Sequence, residues 1–140
     1  MRRNIFIGLT CLLLIVSSTL MAGDIVVIVN KNVNEESILR KDVRKIFLGQ
    51  KSRWKSGDKI IPVTLKSGDV HDAFLEKCVG KSLSAYTSFW KQAIFTGKGT
   101  PPESFKTEAE LIKFVVSKPG AIGYVSSTTK IDSVKVLPVK

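Results

Sequence analysis

Short runs of β-branched residues alternate along the chain with segments whose apolar residues recur at helical spacing. The runs that predict strands are Ile25–Val29 and residues 60–65, 121–125 and 134–137, and the segments that predict amphipathic helices are 38–47, 70–78, 84–94 and 107–116. Strands that alternate with helices form a mostly parallel sheet with right-handed crossovers. We therefore predict one α/β domain in which helices flank a single, mostly parallel sheet.

Two of the predicted helices carry more detailed expectations. The helix over 84–94 is expected to bury its apolar side chains, which are Tyr86, Phe89, Trp90, Ala93 and Ile94. The last helix begins with Thr107, and Glu110 follows three residues later. That spacing predicts a capping box, in which the two side chains satisfy backbone amides at the helix start.

The amino-terminal segment, residues 1–22, has the layout of a secretory signal peptide. Arg2 and Arg3 precede an apolar run, which is followed by Ser17, Ser18, Thr19, Leu20, Met21 and Ala22. The alternative is a membrane anchor, but glycine, serine and threonine interrupt the run, which is shorter than the roughly 20 residues of a membrane span. We expect cleavage near Ala22, which leaves an exported domain over residues 23–140.

The predicted exported domain is basic. The chain has 22 lysine and arginine residues against 12 acidic ones, a formal charge of +10, and residues 23–140 retain +8 because only Arg2 and Arg3 are charged before them. This excess favours anionic ligands, anionic surfaces or acidic partners. Seven basic residues lie within the basic segment 40–55, together with Phe47 and Trp54. The segment is either a docking surface or the solvated face of a helix, and export argues against nucleic acid as its partner.

The chain offers little for catalysis or metal binding. Its single histidine, His71, and Cys78 lie seven residues apart on one predicted helix, about 10.5 Å along its axis, which is too far for a nucleophile and its base. Cys78 falls on the apolar side of that helix, whereas His71 falls off it and is expected to be exposed. Paired carboxylates, metal-ligand clusters and nucleophile motifs are absent from the sequence. We expect a protein that is not an enzyme and that uses no metal or cofactor.

The turn between the second predicted strand and the next helix lies at the sheet edge where α/β proteins collect ligands. Lys66 supplies a cation, Ser67 a hydroxyl and Gly68 an approachable amide, a set that suits phosphate or another oxyanion. Asp69 repels a dianion unless the anion carries a proton that the carboxylate can accept. The alternative is structural: Ser67 and Gly68 form the turn, and Asp69 caps the helix. Ser126, which follows a later strand, is a further candidate for the same edge.

Several short strings occur in an order that resembles a known family. They are Ile46-Phe47-Leu48-Gly49, Trp54, Pro62-Val63, Ser67-Gly68 with Ala73-Phe74, Phe95-Thr96-Gly97-Lys98-Gly99 with Pro101-Pro102, and Pro119-Gly120-Ala121-Ile122-Gly123-Tyr124-Val125. The set is similar to the phosphate ABC-transporter substrate-binding proteins of the type 2 periplasmic binding protein superfamily. This resemblance implies an α/β binding lobe in the periplasm that captures inorganic phosphate for delivery to an ABC permease.

The chain departs from that family in two ways. The family's turn is a Gly-Ser-Gly-Thr type loop that donates to phosphate; Ser67 and Gly68 match it, and Asp69 stands where threonine is usual. The family also closes two lobes around its ligand, whereas residues 23–140 suffice for one. A second copy of the chain or another envelope protein would then complete the cleft. The alternative is an accessory module that docks on an acidic partner or a membrane through the basic segment 40–55.

Overall fold

The computed structural model describes residues 24–140, so the predicted signal peptide lies outside the described residues. The elements follow in the order β1 (Ile25–Val29), α1 (Arg40–Phe47), β2 (Ile61–Leu65), α2 (Asp69–Phe74), a π-helical turn (Leu75–Val79), α3 (Leu83–Phe95), β3 (Glu103–Phe105), α4 (Glu108–Ser117), β4 (Ala121–Ser126) and β5 (Lys135–Val136). Within this part of the chain, every helix is too short or too polar to cross a membrane.

The strands form one five-stranded sheet in the order β3-β2-β4-β1-β5. β2 is parallel to β3 and to β4, whereas β1 is antiparallel to both β4 and β5. The predicted α/β fold is confirmed, and the predicted parallel direction holds for every strand except β1. An apolar run such as Ile25–Val29 indicates a strand covered on both faces, but it carries no information about the direction of that strand.

Strand β3 is absent from the strands that the sequence predicts. Its three residues pair with Val63, Thr64 and Leu65 of β2 in parallel register. A segment this short has too few residues for an alternating pattern to show. The strand β3 therefore forms because it pairs with β2, and the local sequence pattern does not predict it.

The core is centred on three stacked or edge-packed aromatic rings. Phe74 stacks on Tyr124 with ring centroids 3.8 Å apart, and Phe47 meets Phe74 edge-on at 4.7 Å. Phe47 belongs to the apolar face of α1, which also buries Val43 and Ile46. These contacts join α1 and α2 to β4, so the position of α2 relative to the sheet is set by aromatic packing.

Helix α3 is attached to the core by fewer side chains than its spacing predicts. Tyr86 and Trp90 are buried, and the Tyr86 hydroxyl donates a hydrogen bond to the Phe47 carbonyl at 3.2 Å. Phe89 and Ala93 are only partly buried, and Ile94 is exposed, which corrects the expectation for Ile94. Helical spacing shows which residues share a face, but the extent of the neighbouring surface decides which of them are covered.

Gly120, which directly precedes β4, forms hydrogen bonds through its backbone with three distant segments of the chain. Its carbonyl accepts hydrogen bonds from the Trp54 indole at 3.0 Å and from the Ile61 amide at 3.1 Å. Its own amide donates to Asn32 Oδ1 at 3.0 Å. The φ angle of +81° is in the left-handed region, and a Cβ here would lie 2.2 Å from the Lys59 carbonyl oxygen. Glycine is therefore the residue that fits.

We predict that Gly120→Ala lowers the free energy of unfolding by about 2–4 kcal/mol, because backbone strain and the overlap with Lys59 add together. The matched control is Gly57→Ala, where φ is +93° and a Cβ meets nothing within 4 Å. That control is expected to lose only about 1–2 kcal/mol. Urea denaturation followed by circular dichroism measures both, and equal losses would contradict the role of the overlap.

Candidate functional site

Three strands end at one edge of the sheet, which we call the carboxyl edge. Because β2 is parallel to β3 and β4, their last residues Leu65, Phe105 and Ser126 lie along this edge. The chain passes here from β2 into α2 and from β3 into α4, so two helices begin at the same edge. Residues 66–69, which we call the 66–69 turn, lead into α2. The Lys66 amide donates to the Phe105 carbonyl at 2.9 Å, which fixes the first residue of this turn.

The amino terminus of α2 carries no side-chain cap. Gly68 occupies the N-cap position with φ +107°, and no side chain accepts a hydrogen bond from the amides of the first turn. A Cβ at Gly68 would meet nothing within 4 Å, and Lys66, Ser67 and Asp69 are exposed. The structure therefore does not contain the cap that the structural alternative assigned to Asp69. The unpaired amides carry the partial positive charge of the helix start to an open surface.

The amino terminus of α4, by contrast, is closed by the chain's own side chains. The Thr107 hydroxyl accepts the Glu110 amide at 3.2 Å, which confirms the Thr107 half of the predicted capping box. The Glu110 carboxylate accepts the amide of Lys106 at 3.3 Å, one residue before the position that a full capping box requires. The Glu108 carboxylate accepts the Ser126 amide at 2.6 Å. An added anion at this second turn would compete with a carboxylate already in place.

Ser126 is thus already hydrogen-bonded within the chain. Its amide is bound to Glu108, and its hydroxyl lies 2.9 Å from the Thr128 hydroxyl. The Thr129 hydroxyl donates to the second oxygen of Glu108 at 2.5 Å. Ser126 shares the carboxyl edge with the 66–69 turn, as the sequence predicts, but its role as an anion donor stays a prediction. Among the described residues, the candidate donors that remain open at this edge are the Ser67 hydroxyl and the amides of Gly68 and Asp69, since the Lys66 amide is bound to Phe105.

A buried polar pair beneath the turn holds the end of β2 against α2. The Tyr124 hydroxyl accepts the Leu65 amide at 2.9 Å and is also hydrogen-bonded to His71 Nδ1. Both side chains are almost fully buried. Burial raises the pKa of Tyr124, so its hydroxyl keeps its proton. Burial also lowers the pKa of His71, which favours the neutral imidazole.

The burial of His71 corrects the expectation that this residue is exposed. The residues that α2 and the π-helical turn bury are His71, Phe74, Leu75, Cys78 and Val79. This set has the spacing of one helix face, and the signal was present in the sequence. The predicted apolar stripe starts at Val70 and therefore excludes His71, whereas in the structure Val70 is only partly buried and the buried face includes His71. The prediction of Cys78 as a core residue is confirmed.

Cys78 is unsuited to chemistry in this position. Burial raises the pKa of its thiol, and the positive charges of Arg40 and Lys77 oppose that effect only in part. A thiol with a raised pKa has little thiolate at neutral pH and reacts slowly. Among the described residues, no three histidine, cysteine or acidic side chains come together in a group that could hold a metal ion.

The basic segment 40–55 contributes part of its length to the core. Phe47 and Trp54, its two aromatic residues, are buried, so neither is available to stack on a ligand. The Arg44 guanidinium donates to the Val79 carbonyl, and Lys51 and Lys55 lie near acidic partners at 3.8 Å. The solvated face of α1 retains exposed basic side chains, at Arg40, Lys41, Arg44 and Lys45.

We predict that the free energy of unfolding falls as the pH drops below about 6.5, the ordinary pKa of histidine. Burial lowers the pKa of His71, and the Asp72 carboxylate opposes this only in part. The unfolded chain therefore takes up the proton first, so the stability present above pH 6.5 is lost toward the lower folded-state pKa. His71→Asn, which removes the only imidazole of the chain, should lose this dependence in urea denaturation between about pH 5.5 and 7.5. Identical pH profiles for the two proteins would refute the assignment.

The fold is that of one lobe of known phosphate receptors. An ABC-type phosphate transport receptor from Vibrio cholerae matches with a TM-score of 0.63 and 19% identity, covering 82% of this chain and 45% of the receptor. A phosphate ABC transporter substrate-binding protein with bound phosphate from Clostridium perfringens matches at 0.62 and 23%, covering 82% and 44%. PstS from Borrelia burgdorferi matches at 0.62 and 16%, covering 83% and 47%. No family model matches the sequence.

These likenesses define the class of fold and its extent. The described residues have a periplasmic-binding-protein-like α/β fold with a five-stranded sheet flanked by helices. The chain spans less than half the length of the three receptors. At these identities the likeness extends to the fold alone, so the ligand must be argued from the chain's own residues.

Proposed function

We propose that this chain is a non-enzymatic, exported, periplasmic binding protein that holds a small oxyanion, phosphate in the first instance, at the 66–69 turn. The Ser67 hydroxyl and the amides of Gly68 and Asp69 are the donors, and Lys66 supplies a positive charge. Hydrogen bonds to a charged oxygen are about twice as strong as neutral ones, so a few such donors can hold an anion. Ser126 is a secondary candidate at the same edge.

The observation that carries this proposal is the contrast between the two helix starts at the carboxyl edge. α4 is capped by Thr107 and Glu110, and Glu108 fills the space beside Ser126. α2 begins at Gly68 without any side-chain cap. Unpaired amides at an exposed helix start favour an anion. The likeness to phosphate receptors supports phosphate as the first ligand to test.

A single lobe leaves this turn in contact with water. Lys66, Ser67, Gly68 and Asp69 are all exposed, and water screens the charge of a bound anion and competes for its donors. We therefore infer that a second surface covers the ligand in the working protein. A second copy of this chain, an ABC permease or another envelope protein could provide it. Binding by the isolated chain is expected to be weak, in the range of about 1 mM.

We predict that Ser67→Ala weakens phosphate binding by about tenfold or more, because it removes a hydrogen bond to a charged group. The measurement is isothermal titration calorimetry on protein purified after expression of the full chain, with its amino terminus determined by mass spectrometry. The control is Ser84→Ala, an exposed serine in α3, which should bind phosphate like the parent. The proposal is refuted if millimolar phosphate, sulfate and other small oxyanions produce no binding heat and no rise in melting temperature.

We predict that Asp69→Asn reduces discrimination against sulfate. The Asp69 carboxylate can accept a hydrogen bond from hydrogen phosphate, whereas sulfate carries no proton at neutral pH and is repelled. The neutral amide removes the repulsion, so the ratio of phosphate to sulfate affinity should fall by about tenfold, the effect of one nearby charge at the surface. Competition calorimetry with the two anions measures this ratio. An unchanged ratio would place Asp69 outside the binding site.

The second function, docking through the basic segment 40–55, makes different predictions. It rests on the exposed basic face of α1, since the aromatic residues of the segment are buried. Association with an acidic partner through this face would weaken steeply with salt and would be indifferent to Ser67→Ala. The two functions are therefore separated by the same serine variant.

A further inference from the structure

The last turn of α3 presents large apolar side chains to solvent. Phe95 is 92% exposed and Ile94 is 56% exposed. The helix is anchored to the core by Tyr86 and Trp90, which lie earlier in its sequence. An aromatic side chain that is almost wholly exposed at the end of a helix points to something outside the chain that covers it.

Phe89, the other phenylalanine of this helix, has neighbours that pack against its ring. Phe89 packs edge-on against Trp90 with centroids 5.3 Å apart, and the Lys81 ammonium lies 5.5 Å from its ring centre. Within residues 24–140, Phe95 makes no such ring or cation contact. Its exposure is therefore specific to this position and is not shared by the aromatic residues of the whole helix.

The charged residues nearest to Phe95 in the sequence, Lys91 and Lys98, are both positive. Lys91 lies one helical turn before Phe95 on the same face, and it is exposed. Directly after the helix, the amide of exposed Lys98 donates to the Ala93 carbonyl at 2.8 Å, which keeps this lysine at the helix end. The sequence contains no acidic residue between Glu76 and Glu103. The result is an apolar centre flanked by positive charge.

This charge pattern selects among the surfaces that could cover the strip. A second copy meeting it across a two-fold axis would place Lys91 and Lys98 against the same lysines, which repel each other. A bilayer with anionic headgroups attracts the lysines and accepts a phenyl ring at the boundary between headgroups and acyl chains. The excess positive charge of the whole chain acts in the same direction.

We propose that the α3 tip, defined as Lys91, Ile94, Phe95 and Lys98, docks reversibly on anionic phospholipid bilayers. Phe95 and Ile94 enter the interface, and the two lysines contact the headgroups. A few exposed apolar side chains with basic neighbours give weak and reversible membrane binding.

The α3 tip and the 66–69 turn belong to opposite edges of the sheet. A cavity of about 250 Å³ is lined by Trp90 of α3 together with Ile61 and Glu103, the first residues of β2 and β3. The carboxyl half of α3 therefore lies near the amino ends of these strands, whereas the 66–69 turn follows the carboxyl end of β2. Docking through the tip would leave the proposed oxyanion site uncovered by lipid.

The test is sedimentation with vesicles made of equal parts phosphatidylglycerol and phosphatidylcholine at low ionic strength. Protein purified after expression of the full chain, with its amino terminus determined by mass spectrometry, is expected to bind them and to bind pure phosphatidylcholine vesicles far less. Phe95→Ala should lower the vesicle partition coefficient by about tenfold. Lys91→Gln should lower it by about fivefold. Both side chains are exposed, so the melting temperatures should match that of the parent.

Two matched controls distinguish the α3 tip from general attraction. Leu83→Ala changes an exposed apolar residue at the other end of α3, and Lys45→Gln removes a charge from the exposed face of α1; both should bind vesicles nearly like the parent. Equal binding to both vesicle types, or parent-like binding by Phe95→Ala, would overturn the proposal. A dimer that forms in ultracentrifugation only when Phe95 is present would also overturn it, in favour of a second copy. Phosphate calorimetry on Phe95→Ala reports separately on the 66–69 turn.

Discussion

The hydroxyl group of Tyr124 connects the sheet to the candidate site. It accepts the Leu65 amide at the last residue of β2 and is hydrogen-bonded to His71 in the first turns of α2. The ring of the same residue stacks on Phe74. These contacts hold both sides of the 66–69 turn in one arrangement. Loss of a buried hydrogen-bond partner costs about 1–3 kcal/mol, so alternative positions of the turn are disfavoured.

The two strand-to-helix turns at the carboxyl edge show how small a difference separates a closed turn from an open one. Glu108 lies in the first turn of α4, and its carboxylate accepts the Ser126 amide. Asp69 begins α2, yet it makes no capping bond. The Thr107 side chain caps the start of α4 and the Glu108 carboxylate binds the amide at the end of β4, whereas Gly68 has no side chain with which to cap α2. The residue at the helix start therefore determines whether backbone amides remain free for an external anion.

The two proposals place two different binding functions at opposite edges of the sheet. The carboxyl edge offers unpaired amides and a hydroxyl, which suit a small charged ligand. The α3 tip offers exposed apolar side chains between lysines, which suit an extended anionic surface. Both regions are exposed in the described part of the chain, and the two proposals assign each a different covering surface: a second protein surface over the 66–69 turn and a bilayer under Phe95.

Local pattern alone determined the α/β class, the helix cap at Thr107, the burial of Cys78 and the turn at Ser67 and Gly68. Each of these depends on residues within a few positions of one another. The direction of β1, the existence of β3, the burial of His71 and the exposure of Ile94 were decided by tertiary structure. Each depends on which distant segment comes to lie alongside, such as Tyr124 beside His71, or on the absence of any segment beside Ile94. Sequence periodicity shows which side chains share a face of a helix or strand, whereas the fold determines which segments pack against that face.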